Sequence, residues 1–140
     1  MKKWIAGLII FAYSCIGIAQ TCGEIKVTEA IDGDTLRAEL TGVPFAKLQR
    51  VSIRIDGIDT PEIHGKCEKE KEMAQIAKRF LNEKLKTTEH ISFDKIRWDK
   101  YGGRILAEVL FDGNSVSQMM INGGLAYPYH GEKKINHWCE

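Results

Sequence analysis

Five short segments that alternate apolar and polar residues, one long amphipathic segment that interrupts them, and turn signals between them predict a mainly β fold with helices. These elements fit a five-stranded Greek-key barrel of the OB type with one long and one short helix. A split α+β sandwich satisfies the same pattern. The chain has 140 residues, enough for one domain with a modest core. Its 44% hydrophobic and 28% charged residues are the balance of a folded globular chain.

The first strand is expected over "EIKVTEA" (Glu24–Ala30) and the second over "TLRAEL" (Thr35–Leu40), joined by the turn signal "DGD". In "VSIRI" (Val51–Ile55), Val51, Ile53 and Ile55 share one face, with Ser52 and Arg54 on the other. From Glu68 to about Lys86 the period becomes helical. Met73, Ala77, Phe80 and Leu81 form an apolar stripe in a field of Glu and Lys. Two more strands are expected at "HISF" (His90–Phe93) and "ILAEVLF" (Ile105–Phe111). A short helix over Ser115–Asn122 has a cap in Asn114 or Ser115 and a stop at Gly123-Gly124.

Residues 1–19, "MKKWIAGLIIFAYSCIGIA", combine a basic start, an apolar run and small residues before a cut, the pattern of a secretory signal peptide. An uncleaved anchor is the alternative, but no basic stop-transfer flank follows. Residues 20–140 then form a single domain, secreted or periplasmic, with no membrane span and expected to be a monomer. The formal charge of the full chain is +1; loss of Lys2 and Lys3 makes the mature chain −1. That charge excludes a generic polyanion coat, so nucleic-acid binding has to come from a local site. Cys22, Cys67 and Cys139 remain, an odd count that allows one intramolecular bridge. There is no C-x-x-C pair to suggest structural zinc, and His64 and His137, though near cysteines, read as surface residues.

Three segments carry chemistry. In "IDGDT" (Ile31–Thr35) Asp34 sits where the turn becomes a strand. An EF-hand loop is excluded there, because counting from Asp32 puts Arg37 at the glycine position and Val43 at the glutamate position. In "RIDGIDTPE" (Arg54–Glu62) Pro61 ends the ladder and keeps Thr60 extended, which places Asp59, Thr60 and Glu62 at a rigid strand lip. Any one of these acids alone is a charged strand end. Together, carboxylates and a carbonyl can hold a hard cation, a glutamate can take a proton from water, and an arginine can grip phosphate with a planar fork. In "WDKYGGRILAEV" (Trp98–Val109) a glycine turn presents a second arginine, Arg104.

"VTEAIDGDTL", "VSIRIDGIDTPE", "DKYGGRILAEV" and "GLAYPY" occur in an order and spacing that resemble the staphylococcal (micrococcal) nuclease family. The likeness runs from about Glu24 to Tyr129. It implies an OB-type barrel and a calcium-dependent phosphodiesterase acting on DNA and RNA to leave 3′-phosphate ends. By the resemblance, Asp34 and Asp59 match carboxylate ligands of Ca2+, and Thr60 matches the residue lending its carbonyl. Arg54 and Arg104 match the arginines on the scissile phosphate, and Glu62 matches the residue given the general-base role. Lys100 and Tyr101 match positions near the substrate's terminal phosphate. Tyr127 and Tyr129 fall near the nucleotide-stacking tyrosines, at a different spacing. The usual "YGR" is here "YGGR": Gly103 is either absorbed in the turn or displaces Arg104.

In this family the tyrosine segment runs beside the mouth that the Asp59–Glu62 lip also borders. The resemblance therefore implies a Cys67–Cys139 bridge, with Cys22–Cys139 as the other pairing. Two readings compete with a nuclease: an OB-type module that binds nucleic acid without turnover, and a glycosidase using Asp59 and Glu62 as acid and base. Three carboxylates repel phosphate unless a cation is present, and two arginines have no evident use in a glycosidase.

Overall fold

The computed structural model describes residues 24–41, 49–100, 102–135 and 137–140. The chain runs β1 (Glu24–Asp32), β2 (Thr35–Thr41), β3 (Gln49–Ile55), β4 (Ile58–Asp59), α1 (Glu68–Thr87), β5 (Ile91–Trp98), β6 (Arg104–Phe111), β7 (Asn114–Ser115), α2 (Val116–Asn122) and β8 (Tyr127–Pro128). The leader expected over residues 1–19, Cys22 and Tyr101 lie outside the described residues.

The main sheet has the order β1-β2-β3-β6-β5, with β7 added to β6. Its pairs are antiparallel except β3–β6, which is parallel with Ser52 opposite Arg104 and Ile55 opposite Ala107. The fold is mainly β with two helices, consistent with an OB-like arrangement. The closed five-stranded barrel expected from sequence needs correction: among the described residues no ladder joins β1 to β5, and the sheet is open and mixed. Both edges show why. At β1, Asn82 of α1 accepts from the Ala30 N–H at 2.9 Å and donates to the Ala30 carbonyl at 3.1 Å, taking the groups another strand would use. At β5, a register shift between Asp94 and Arg97, with Lys95 at φ 50°, twists a charged edge away from further pairing.

One core lies between the sheet and the helices. Leu36, Ile53, Ile55 and Val109 come from strands, Ala77 and Leu81 from α1, and Val116 and Met120 from α2. The alternation in β3 and β6 and the stripe on α1 aim these residues inward. Ser115 caps α2 by accepting from the Gln118 N–H, and Gly124, at φ 67°, ends it. Strand β5 extends five residues past the expected Phe93, through Asp94–Trp98, because that part is exposed and lacks the alternation that marks a half-buried strand. The two-residue strands β4, β7 and β8 are too short to show any period.

The fold's use to the site is a close approach at the β1–β2 turn. A Cβ placed on Gly33 would lie 2.9 Å from the Ala77 Cβ and 3.1 Å from the Thr60 side chain. Only glycine lets the turn bearing Asp34 press against α1 and against the lip that follows β4. Gly33→Ala is expected to destabilise the protein by about 1–3 kcal/mol through overpacking, read as a lower urea midpoint at unchanged m-value.

Candidate active site

The site starts from one ion pair. Asp34 closes the β1–β2 turn, and the next residue, Thr35, faces Arg54 across the β2–β3 ladder. An Arg54 Nη1 N–H donates to Asp34 Oδ2, Nη2 donates to the Ile58 carbonyl at 3.2 Å, and Thr35 Oγ1 donates to Asp34 Oδ1 at 2.9 Å. The Asp34 and Arg54 side chains are only 6% and 13% exposed. Burial works against the Arg54 charge, but the carboxylates of Asp34, Asp59 and Glu62 outweigh it and raise its pKa above the ordinary value.

The lip after β4 supplies the next acids. Strand β4 pairs with β8, so that Asp59 sits opposite Tyr127. Asp59 is 13% exposed and Glu62 54%, and Lys134 bridges them, its Nζ 2.5 Å from Asp59 Oδ1 and 3.2 Å from Glu62 Oε1. The contact with Asp59 is a close ion pair, in which the Lys134 ammonium meets the charge of the buried Oδ1. Burial lowers the Lys134 pKa, and Asp59 and Glu62 more than reverse that, for a net rise.

Arg104 opens β6, and its Nε donates to the buried carboxylate of Asp99. Gly102 and Gly103, at φ 74° and 77°, form the hairpin turn just before it. The extra glycine lies in that turn, and Arg104 stands opposite Ser52 and lines the cleft. Lys100 lines the same cleft. The tyrosines part ways. Tyr129 lines the cleft, with Lys134 Nζ 5.8 Å from its ring centre. Tyr127 does not line it, and its ring packs at 4.6 Å on His137 and 4.8 Å on Trp138.

The loop carrying Glu62 is held from beneath by Glu70, a residue not singled out in the sequence. Glu70 is buried at the third position of α1 and accepts from the backbone N–H of Lys66 at 2.9 Å and of Glu62 at 3.3 Å. Glu70 stands three residues after the cap position, Cys67, which makes no side-chain cap hydrogen bond, and it fastens the loop before the helix instead. Gly65 makes room, since a Cβ there would lie 2.5 Å from the Glu70 side chain. Cys67 is bonded to Cys139, with Cα atoms 6.0 Å apart. Glu70 Oε2 lies 3.6 Å from Cys139 Sγ. A disulfide sulfur carries no proton, so this is packing, and the Cys67, Glu70 and Cys139 group offers no thiolates to a metal.

The groups open onto a cleft of about 660 Å³. Its lining holds five carboxylates (Asp32, Asp34, Asp56, Glu62, Asp99) and five bases (Arg54, Arg97, Lys100, Arg104, Lys134), so the empty cleft has no excess positive charge to draw a polyanion. Asp59 and Thr60 lie behind this lining, Thr60 being 2% exposed. Asp34, Asp59 and Thr60 offer only oxygen, a donor set that fits a hard divalent cation.

Asp32, at the other end of the same turn, is also part of the site. Burial, then the nearby charges of Asp34 and Glu62, push its pKa up to about 6 despite a 2.7 Å hydrogen bond from the Gly33 N–H. In sequence it looks like the other half of a turn signal, and its setting appears only once Glu62 is folded beside it. A raised carboxyl pKa stabilises the fold at low pH, and that contribution is lost as pH rises from 3.8 through about 6. In cation-free buffer, Asp32→Asn should exceed the natural protein in stability by roughly 1–2 kcal/mol above pH 6, allowing for solvent screening of a half-buried group, with the gap closing below about pH 4. Thermal melts across that range in a chelator check the sign.

A family model described as staphylococcal nuclease homologue matches residues 52–138. No curated protein matches the chain. The matched span carries Arg54, Asp59, Thr60, Glu62 and Arg104, and Asp34, which precedes it, is joined to it by the Arg54 ion pair. The span exceeds half of the chain, and the protein belongs to the staphylococcal nuclease homologue family.

Proposed function

We propose that the protein is an exported, calcium-dependent endonuclease that hydrolyses phosphodiester bonds of DNA and RNA to 3′-phosphate products. One observation carries this reading: at one cleft three bases that could hold phosphate are paired with carboxylates that could hold a cation. Asp34 pairs with Arg54, Asp99 with Arg104, and Asp59 and Glu62 with Lys134. With a cation and a phosphodiester bound, the carboxylates would turn to the cation and the guanidinium groups to the phosphate.

Asp34, Asp59 and the Thr60 carbonyl would hold the cation, which when bound would supply positive charge beside the phosphate. Arg54, fixed in a buried position by Asp34 and the Ile58 carbonyl, presents its planar fork to the phosphate. Arg104 stabilises the charge that develops on the phosphorus oxygens. Glu62, half exposed and set by the Glu70 hydrogen bond to its backbone, orients a water and takes its proton. The water oxygen bonds to phosphorus as the bond to the 5′ oxygen breaks. Lys100 and the Tyr129 ring lie along the same cleft as contacts for a neighbouring phosphate and base. The Cys67–Cys139 bridge fits an oxidising compartment. Every group named comes from one chain, so a monomer suffices.

A non-catalytic OB module is disfavoured because the uncharged balance of the cleft serves binding poorly without a cation. Purified protein should release acid-soluble nucleotides from DNA with Ca2+ and stop in excess EGTA; full cleavage in EGTA refutes the cation role. Arg54→Lys, which keeps the charge but loses the fork, should lower kcat by roughly 100-fold or more with the fold intact by circular dichroism.

A further inference from the structure

The C-terminal strap carries a cation into the cleft. After Tyr129, whose N–H donates to the Gly57 carbonyl at 2.9 Å, the chain crosses the cleft mouth and is pinned again at its far end. There Trp138 is buried against the Tyr127 ring, Cys139 is bonded to Cys67, and Lys69 Nζ donates to the Glu140 carbonyl at 2.6 Å. Held at both ends, the strap places Lys134 Nζ between Asp59 and Glu62 and near the Tyr129 ring. The ammonium thus lies against the buried oxygen that the cation reading assigns to the metal.

We propose that Lys134 sets the affinity of the cation site: a tethered ammonium that compensates Asp59 and Glu62 in the cation-free protein and must be displaced before a divalent cation binds. The inference rests on Asp59 being a cation ligand. It follows from electrostatics and tethering. An ammonium and a divalent cation at the same carboxylate repel each other, and a group pinned at both ends of its segment competes at a high effective concentration. A monovalent ion would exchange one unit charge for another, whereas a divalent ion gains from the exchange, so the arrangement selects for divalent charge. Once displaced, Lys134 remains beside Glu62 and the cleft, where a phosphate can receive it. The disulfide takes part because it pins the strap: opening it frees the ammonium and lowers its effective concentration.

The test is calcium binding to the purified exported protein by isothermal titration calorimetry, with no substrate present. Lys134→Met should bind Ca2+ roughly 5–20-fold more tightly than the natural protein. Lys134→Arg, and Lys133→Met as a control for the same loss of net charge, should stay within about twofold. Opening the bridge as Cys67→Ser with Cys139→Ser should shift the natural background toward the Lys134→Met value and leave the Lys134→Met background unmoved. Unchanged or weaker binding by Lys134→Met, with clear binding by the natural protein, overturns the inference and leaves the calcium reading standing. An equal shift from Lys133→Met reduces the effect to net charge and also overturns it. An equal shift on opening the bridge in both backgrounds overturns the tether. No binding by any variant refutes the calcium site itself.

Discussion

The buried pair between Asp34 and Arg54 is the constraint around which the rest of the site is arranged. Taking both charges out of water is costly, and their attraction repays this only with good geometry and further hydrogen bonds. Those bonds are present: Thr35 donates to Asp34, and Arg54 also reaches the Ile58 carbonyl. Each partner needs the other, since a lone buried charge is worse than none. The pair therefore locks the β1–β2 turn, the end of β3 and β4 into one unit. The backbone agrees, with the Ile55 N–H donating to the Asp34 carbonyl and the Asp56 N–H to the Ala107 carbonyl, each at 2.8 Å.

Charges elsewhere in the cleft repeat this self-neutralisation. Arg97 pairs with Asp56 at 2.9 Å, Arg104 with Asp99, and Lys134 with Asp59 and Glu62. A cleft in that state attracts neither a polyanion nor a cation strongly. On the proposed reading, a cation and a phosphodiester would each take over the partners that the other releases. Asp32 opposes the fold above its raised pKa because it is half-buried and, secondarily, because Asp34 and Glu62 stand close by. On that reading, the site gives up stability to hold charges that a substrate and a cation would use.

Beneath the cleft lies a mechanical layer. Gly33 permits the turn to touch Ala77 and Thr60, Gly65 admits the Glu70 carboxylate, and Glu70 fastens the loop on which Glu62 rides. The disulfide ties the start of α1 to the chain's end, so one short region supports both the lip and the strap. These contacts make the position of Glu62 a property of the helix start as much as of its own strand end. A glutamate in a flexible loop would have no fixed line to a water.

Strand and helix positions were legible because alternation and the helical stripe are written by core burial, which repeats at regular spacing in Val51–Ile55 and Met73–Leu81. The close set Arg54, Asp59, Thr60 and Glu62 was legible because its members are neighbours on one strand and its lip. Tertiary structure alone decided the rest. It left the sheet open, through Asn82 capping one edge and the bulge at Lys95 twisting the other. It turned Tyr127 onto the strap and left Tyr129 in the cleft. It also brought in Asp32, Glu70 and Lys134. In sequence these are a turn acid, one of several glutamates on a charged helix, and one of two adjacent lysines. Their roles depend on groups far along the chain, 72 residues in the case of Lys134 and Glu62. A local pattern records what a residue's neighbours in sequence require, and burial and charge pairing across the fold are set by neighbours in space.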